Sequence, residues 1–320
     1  ADVRAAADPQ AAAEAIMQGD LQQNTRADSG APLLCHRLIR VGERRWFWYQ
    51  RYHHLLVDGF SFPAITRHIA RIYAALLAGE PLPDSPFTPF AEVVEEYQRY
   101  RDSDACRRDK AFWAQQRADL PPPASLSAAP LPGRAASTDI WRLKLTADRH
   151  AFSRLAAASD DVQRADLALA LAALWLGRLC GRSDYAAGYI FMRRLGSAAL
   201  TATGPVLNVL PLAVTIHPQE TLSALATRLA GQLKKMRRHQ RYDAEQIVRD
   251  GGRAAGDEPL FGPVFNVKVF DYRLDMPGTM ATTHTLATGP VNELELALFP
   301  DESGVLTVEV LANRQRYGVE

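Results

Sequence analysis

The chain has 320 residues, 47% of them hydrophobic, enough to build the core of one large domain or two ordinary ones. Thirty-seven Lys and Arg against thirty-six Asp and Glu leave a formal charge of +1, so no global basic field exists to hold nucleic acid or an anionic membrane. No apolar run is long enough to cross a bilayer, and the three cysteines (Cys35, Cys106 and Cys180) are far apart and outside any metal-ligand spacing, which reads as reduced, mostly buried thiols of a cytosolic protein.

The chain begins at Ala1 with neither methionine nor signal segment, and reads as a fragment of something longer. The first clear element is a hairpin: "LLCHRLIR" and "RWFWYQRYHHLLV" are β-rich runs either side of the turn-like "VGER". The near-continuous apolar residues of the second run predict a central strand covered on both faces. After Asp58-Gly59, a helix is expected with Ser61 as N-cap, its buried face formed by Phe62, Ile65, Ile69, Ile72, Leu76 and Leu77, and its end marked by Gly79 and Pro81. A second helical stretch follows in "FAEVVEEYQRYRDSDACRRDKAFWAQQRADL", and "PPPASLSAAPLPGRAAS", Pro121 to Ser137, reads as a linker.

The second half predicts a strand near "DIWRLKL", a helix near "DRHAFSRLAAA", a very apolar helix "ADLALALAALWLGRLC", and strands around "YAAGYIF" and "NVLPLAVTI". An amphipathic helix with Leu222, Leu225, Leu229, Leu233 and Met236 inward comes next, then β-rich "PVFNVKVF" and a hairpin of "NELELALF" and "GVLTVEVLAN" joined by "PDES". Two αβ lobes joined by a Pro-rich strap is the economical architecture.

"HHLLVDG" is the stretch that carries chemistry. Strand alternation would send His53 and His54 to opposite faces, so one could reach a reaction site while the other packs behind it. That geometry also argues against a metal, since such neighbours do not converge easily on one ion. Asp58 could orient an imidazole or pair with a distant arginine. Gly59 permits a tight turn and a close backbone approach to substrate, and the helix that follows could lend positive charge to a developing oxyanion. With no Ser or Cys elbow nearby, the pattern suggests direct transfer, in which one substrate brings the nucleophile and an imidazole manages its proton. A satisfied core histidine pair beside a helix cap is the bland alternative, and the residues alone leave the two about even.

The stretch fits the HHxxxDG signature of condensation domains of nonribosomal peptide synthetases, in the chloramphenicol acetyltransferase-like superfamily. Further stretches resemble that family in the right order: the segment from "FAEVVEEY", then "YIFMRRLGSAALTATGPVLNVLPLAV", then the His-Gln segment "RRHQRYDAEQIVRDGG", then "FGPVFNVKVFDY" and "TGPVNELELALF". The flavour is that of siderophore synthetases of the enterobactin type. The resemblance implies an α/β fold of two chloramphenicol acetyltransferase-like αβ sandwich lobes arranged as a V with a central tunnel. Residues 1–133 would form the N-terminal lobe, incomplete at its start, and 134–320 the C-terminal lobe without its closing helix.

It further implies His54 as the catalytic or substrate-positioning imidazole. His53 and Asp58 would be chiefly structural, with Asp58 salt-bridged to Arg194, and Gly59 would border the acceptor entrance. Ser61 and Asn208 would lie along the substrate tunnel. No cofactor would bind directly and no metal is implied. Substrates would arrive on the 4'-phosphopantetheine arms of peptidyl or aryl carrier proteins, alongside adenylation and thiolation domains, in the cytoplasm. Arg193 stands where a glycine is common in the family, and Ala213 where an arginine is common. Two other readings compete: an epimerase or coenzyme A-dependent acyltransferase relative, and a non-catalytic module that recruits a partner protein. His239 reads as a surface residue near a helix end, and Lys234, Lys235, Arg237 and Arg238 as a solvated face.

Overall fold

A computed structural model describes residues 1–23, 27–127, 139–159, 162–252, 259–268, 274–301 and 304–318. The chain forms two compact units. One comprises Ala1–Phe90 with Thr201–Pro205 and Tyr272–Ala287, and the other comprises Ala91–Leu200, Val206–Asp271 and Thr288–Glu320. Among the described residues no helix is long and apolar enough to cross a membrane.

The first unit opens with α1 (Pro9–Leu21), which the sequence reading passed over. Its signal is Asp8-Pro9: the Asp8 carboxylate accepts from Ala11 N–H, and proline stands where its missing N–H costs nothing. Strands β1 (Leu34–Arg40) and β2 (Trp46–Tyr52) pair antiparallel, with Leu38 opposite Trp48. On one face Ile39, Val41 and Tyr49 pack with Ala13 and Met17 of α1. At the end of that cluster the buried Asp20 accepts from Tyr49 Oη (2.7 Å), Arg51 Nε and Arg37 Nη2 (3.3 Å). The Arg51 guanidinium holds the Asp20 carboxyl below the usual carboxylate range.

β2 is not a central strand: among the described residues its sheet has only two strands, and Trp46 and Leu38 of the other face are about half exposed. The apolar run reflects bulky residues on both faces rather than two covered faces. At one end of that second face α2 (Ser61–Ala78) makes contact, through Thr66 Oγ1 to Gln50 Oε1 at 3.4 Å and Phe62 edge-on to Tyr52. The buried residues of α2 are Ser61, Pro63, Thr66, Ala70 and Ala75; Phe62, Ile65, Ile69 and Ile72 are half-buried, and Leu76 and Leu77 are exposed. The helix is therefore rotated from the face its aliphatic residues define, presenting small residues where the backbone lies closest. Gly79, at φ +67°, closes it in the left-handed conformation.

In the second unit the expected single helical stretch is two helices, α3 (Phe90–Arg101) and α4 (Asp104–Ala118). Ser103 divides them: its hydroxyl donates to Tyr100 O at 2.7 Å and accepts from Cys106 N–H at the start of α4. The expected linker begins as ordered structure, because Ala124 N–H donates to Ala186 O and Ala186 N–H to Pro122 O, making Pro122–Ala124 a short sheet extension with Ala124 fully buried. Its remainder from residue 128 lies outside the described residues.

Then follow β3 (Ile140–Thr146), α5 (Arg149–Ala157), α6 (Arg164–Cys180), β4 (Asp184–Phe191), β5 (Asn208–Thr215), α7 (Leu222–Arg237), α8 (Ala244–Asp250), β6 (Val264–Val267), β7 (Leu294–Pro300) and β8 (Leu306–Asn313). Among the described residues the strands form a six-stranded mixed sheet ordered β3-β8-β7-β6-β4-β5, parallel at β7/β6 and β6/β4 and antiparallel elsewhere. α6 and α7 bury Leu167, Leu169, Leu176, Leu225, Leu229, Leu233 and Met236 in one core with Leu210, Leu212, Leu296 and Leu298 of the sheet. The α7 face is as its periodicity predicts, except that Leu222 stays half-buried. The three cysteines are free and only half-buried, less enclosed than expected.

Candidate active site

β2 ends at Tyr52, so His53 and His54 lie in the turn beyond it, and strand alternation does not dictate where their side chains go. His53 N–H donates to Leu33 O (2.7 Å), Leu56 N–H to His53 O (2.9 Å), and Leu55 N–H to His53 Nδ1 (3.1 Å). His53 is thus part of the turn's own wiring. His54 is exposed, and among the described residues its ring takes no hydrogen bond or ion pair. His36, singled out for nothing by its sequence, stands at Tyr52: its Nε2 lies 2.7 Å from Tyr52 Oη, and burial holds its pKa down.

Asp58 is buried and caps α2. Its Oδ1 accepts from Phe60 N–H (3.1 Å), Ser61 N–H (2.9 Å) and the Ser61 hydroxyl (3.0 Å), while Ser61 Oγ accepts from Asp58 N–H (2.9 Å). This is a reciprocal capping box with Asp58 as the cap and Ser61 as its responder, so Ser61 is not the N-cap itself. The Phe62 N–H goes to Asp58 O. The N–H groups of Phe60, Ser61 and Phe62 at the start of α2 are therefore all taken up by Asp58. Gly59 is exposed between the cap and the helix.

A residue the sequence reading missed completes this turn: Gly204 N–H donates to Leu56 O at 3.2 Å. Gly204 has φ +72°, and a Cβ there would run into the Phe90 ring. The Thr-Gly-Pro triplet at 203–205 was the available signal.

Arg194 and Asn208 belong to the second unit. Arg194 is buried, and its Nη1 donates to Ala199 O at 2.5 Å. Its neighbour Arg193 adopts φ +52°, the left-handed region where glycine is at ease. Burial depresses the pKa of Arg193, whose Nη1 reaches Asp243 Oδ1 at 3.2 Å and whose guanidinium lies over the Tyr97 ring. Asn208 is spent on the backbone: Nδ2 donates to Gln240 O (3.0 Å) and Tyr242 O (2.8 Å), and Oδ1 accepts from Ala244 N–H at the start of α8. His239 is not a plain surface residue. Its ring stacks on Phe112, its Nδ1 lies 2.7 Å from Asp109 Oδ1, and its carbonyl accepts from Trp113 Nε1. Lys234, Lys235, Arg237 and Arg238 are exposed, as a solvated face requires.

An α/β fold with this mixed sheet, and the HHxxxDG turn set at the head of a capped helix, define a condensation domain. The chain belongs to that family: the model described as Condensation domain matches residues 1–320. Among curated proteins it is 73% identical over 316 residues to "Enterobactin synthase component F" of Escherichia coli, covering 99% of this chain and 24% of that protein. It is 38% identical over 288 residues to "Vanchrobactin synthetase VabF" of Vibrio anguillarum, covering 89% of this chain and 10% of that protein. The chain thus spans about a quarter of the length of its enterobactin synthase relatives. Among solved structures it resembles a mutant starter condensation domain of rhizomide synthetase RzmA in complex with C8-CoA and Leu-SNAC (TM-score 0.87, 32% identity, 99% of this chain and 71% of that one). It also resembles the first condensation domain of the calcium-dependent antibiotic synthetase (TM-score 0.84, 27% identity, 99% and 70%).

Proposed function

We propose that the chain forms amide bonds in nonribosomal assembly of a siderophore-type peptide: the amine of an aminoacyl thioester attacks a donor acyl or peptidyl thioester. The observation that supports this most is the state of the motif turn, where His53 and Asp58 serve the turn itself while the His54 imidazole is exposed and uncommitted among the described residues. The family match over the whole chain supplies the reaction class. A free α-amino group has a pKa of about 8, so little basicity is required of the catalyst near neutral pH. His54 is suited to hold the amine and to take its proton as the tetrahedral intermediate forms, with positioning supplying most of the acceleration.

On this reading both thioesters arrive on phosphopantetheine arms of carrier proteins, with adenylation and thiolation domains in the same cytoplasmic synthetase. The reading calls for two lobes, 1–133 and 134–320, meeting as a V around a tunnel that Ser61 and Asn208 border, with Gly59 near the acceptor entrance. Asp58 and Arg194 support the reaction centre without taking part in proton transfer.

The test is incubation of the intact synthetase with loaded donor and acceptor carrier proteins, with the amide read by mass spectrometry. His54→Ala should lower product formation about a hundredfold or more, within the range general acid–base groups supply. Full activity of that variant would discard the assignment, and binding of carriers without turnover by the unaltered protein would indicate a recruiting module.

A further inference from the structure

The loop after β4 carries Arg194 and is held by a chain of hydrogen bonds. Arg194 Nη1 donates to Ala199 O at 2.5 Å, so the guanidinium is referenced to the short 3-10 turn Ala198–Leu200. That turn is gripped from α3 by one carboxylate. Glu96 Oε2 accepts from Ala198 N–H at 2.7 Å and from the Ser197 hydroxyl at 3.0 Å. Ser197 Oγ in turn accepts from Ala199 N–H at 3.1 Å, so the same hydroxyl links Glu96 to the residue whose carbonyl holds Arg194. The other oxygen of Glu96, Oε1, pairs with Arg241 Nη2 from the turn after α7.

The neighbours of Glu96 are themselves held in place. Tyr97 and Tyr100 of the same helix line a small cavity of about 20 Å³ with Glu96, Arg193, Ser197 and Arg241. The 239–243 turn that brings Arg241 is fixed independently, by Trp113 Nε1 on His239 O and by Asn208 Nδ2 on Gln240 O and Tyr242 O. Burial alone would raise the Glu96 pKa, but the Ala198 N–H, the Ser197 hydroxyl and Arg241 more than offset it, so the group is ionised at neutral pH. A charged acceptor on a backbone N–H is among the stronger hydrogen bonds a protein makes, and it directs the turn rather than merely filling space.

We propose that Glu96 is a positioning residue for amide formation, holding the 197–199 turn and, through Ala199 O, the Arg194 guanidinium in one geometry. The inference rests on the reading of Arg194 as a support of the reaction centre. Glu96 touches no reacting atom. Its removal frees the Ala198 and Ser197 donors, loosens Ala199 O, and shifts Arg194.

The experiment is a double-mutant cycle in the intact synthetase, with turnover of carrier-tethered substrates normalised to the folded fraction from thermal unfolding. Glu96→Ala should lower kcat about tenfold and leave KM for the acceptor carrier protein unchanged. Glu96→Gln, which keeps an oxygen acceptor for Ala198 N–H, should recover to within about threefold of the unaltered protein. Combining Glu96→Ala with Arg194→Ala should be no worse than Arg194→Ala alone, because the two residues act in series. Losses that multiply in the double variant, or a Glu96→Ala protein with unchanged kcat, overturn the proposal. If Glu96→Ala does not fold, the same cycle with Glu96→Gln decides, its smaller loss vanishing against Arg194→Ala or multiplying with it. Unimpaired turnover of Arg194→Ala instead sinks the reading of Arg194, and so separates that failure from failure of the role given to Glu96.

Discussion

The Gly204 N–H donates to Leu56 O at 3.2 Å, and this bond ties a segment from far along the chain to the middle of the HHxxxDG turn. An L-residue held at φ +72° costs about 1–2 kcal/mol, and at 204 its Cβ would also strike the Phe90 ring. Gly204→Ala should therefore lower both the urea denaturation midpoint and the rate of amide formation. Unchanged values of both would mean that the anchor is dispensable.

Asp58 and Ser61 cap α2 reciprocally, and this predicts a graded series in thermal unfolding. Asp58→Ala should cost about 1–2 kcal/mol, Asp58→Asn less because an acceptor oxygen remains, and Ser61→Ala the least. Turnover per folded molecule should fall only modestly. An Asp58 variant that folds normally and makes no product would contradict the supporting role given to this carboxylate.

Asp20 predicts an acid-sensitive edge to the first unit. Its folded-state pKa is depressed, chiefly by Arg51, so its contribution is complete above the ordinary carboxylate value of about 4 and is lost as pH falls through the lower folded-state value. Asp20→Asn removes that contribution at every pH and should cost about 2–3 kcal/mol, since Arg51 and Tyr49 lose a charged partner. Denaturant titrations at pH 7 and pH 3 should show the gap between variant and unaltered protein closing at the lower pH. A gap that widens would refute the sign.

His239 predicts a stability effect far larger than a surface histidine would give. His239→Ala removes the stack on Phe112 and leaves the buried Asp109 with Tyr100 Oη as its remaining described side-chain partner. A loss of about 1–3 kcal/mol is expected from denaturant midpoints. A change below about half a kcal/mol would restore the surface reading.

Where the sequence was legible, the reason is periodicity. α7 announced its buried face because its leucines recur at helical spacing and nothing but the core competes for them. α2 misled because its large aliphatic residues flank the close approach that Pro63, Thr66 and Ala70 make possible, and small residues leave no mark in a hydropathy pattern. The chemistry of "HHLLVDG" was readable from residue types, but the division of labour within it was not. Capping by Asp58 depends on backbone N–H groups two and three residues ahead, and a carboxylate next to glycine fits catalysis and capping equally well. Glu96 was invisible for a plainer reason: it is one acid among several in "EVVEEY", distinguished only by what the fold lays against it.

The place of β8 between β3 and β7 bears on how the protein is made. During vectorial synthesis β3 leaves the ribosome well before β8, its described neighbour in the sheet, and has no strand to pair with until β8 follows. Until then β3 offers an unpaired β-edge, the kind of template that aggregation exploits.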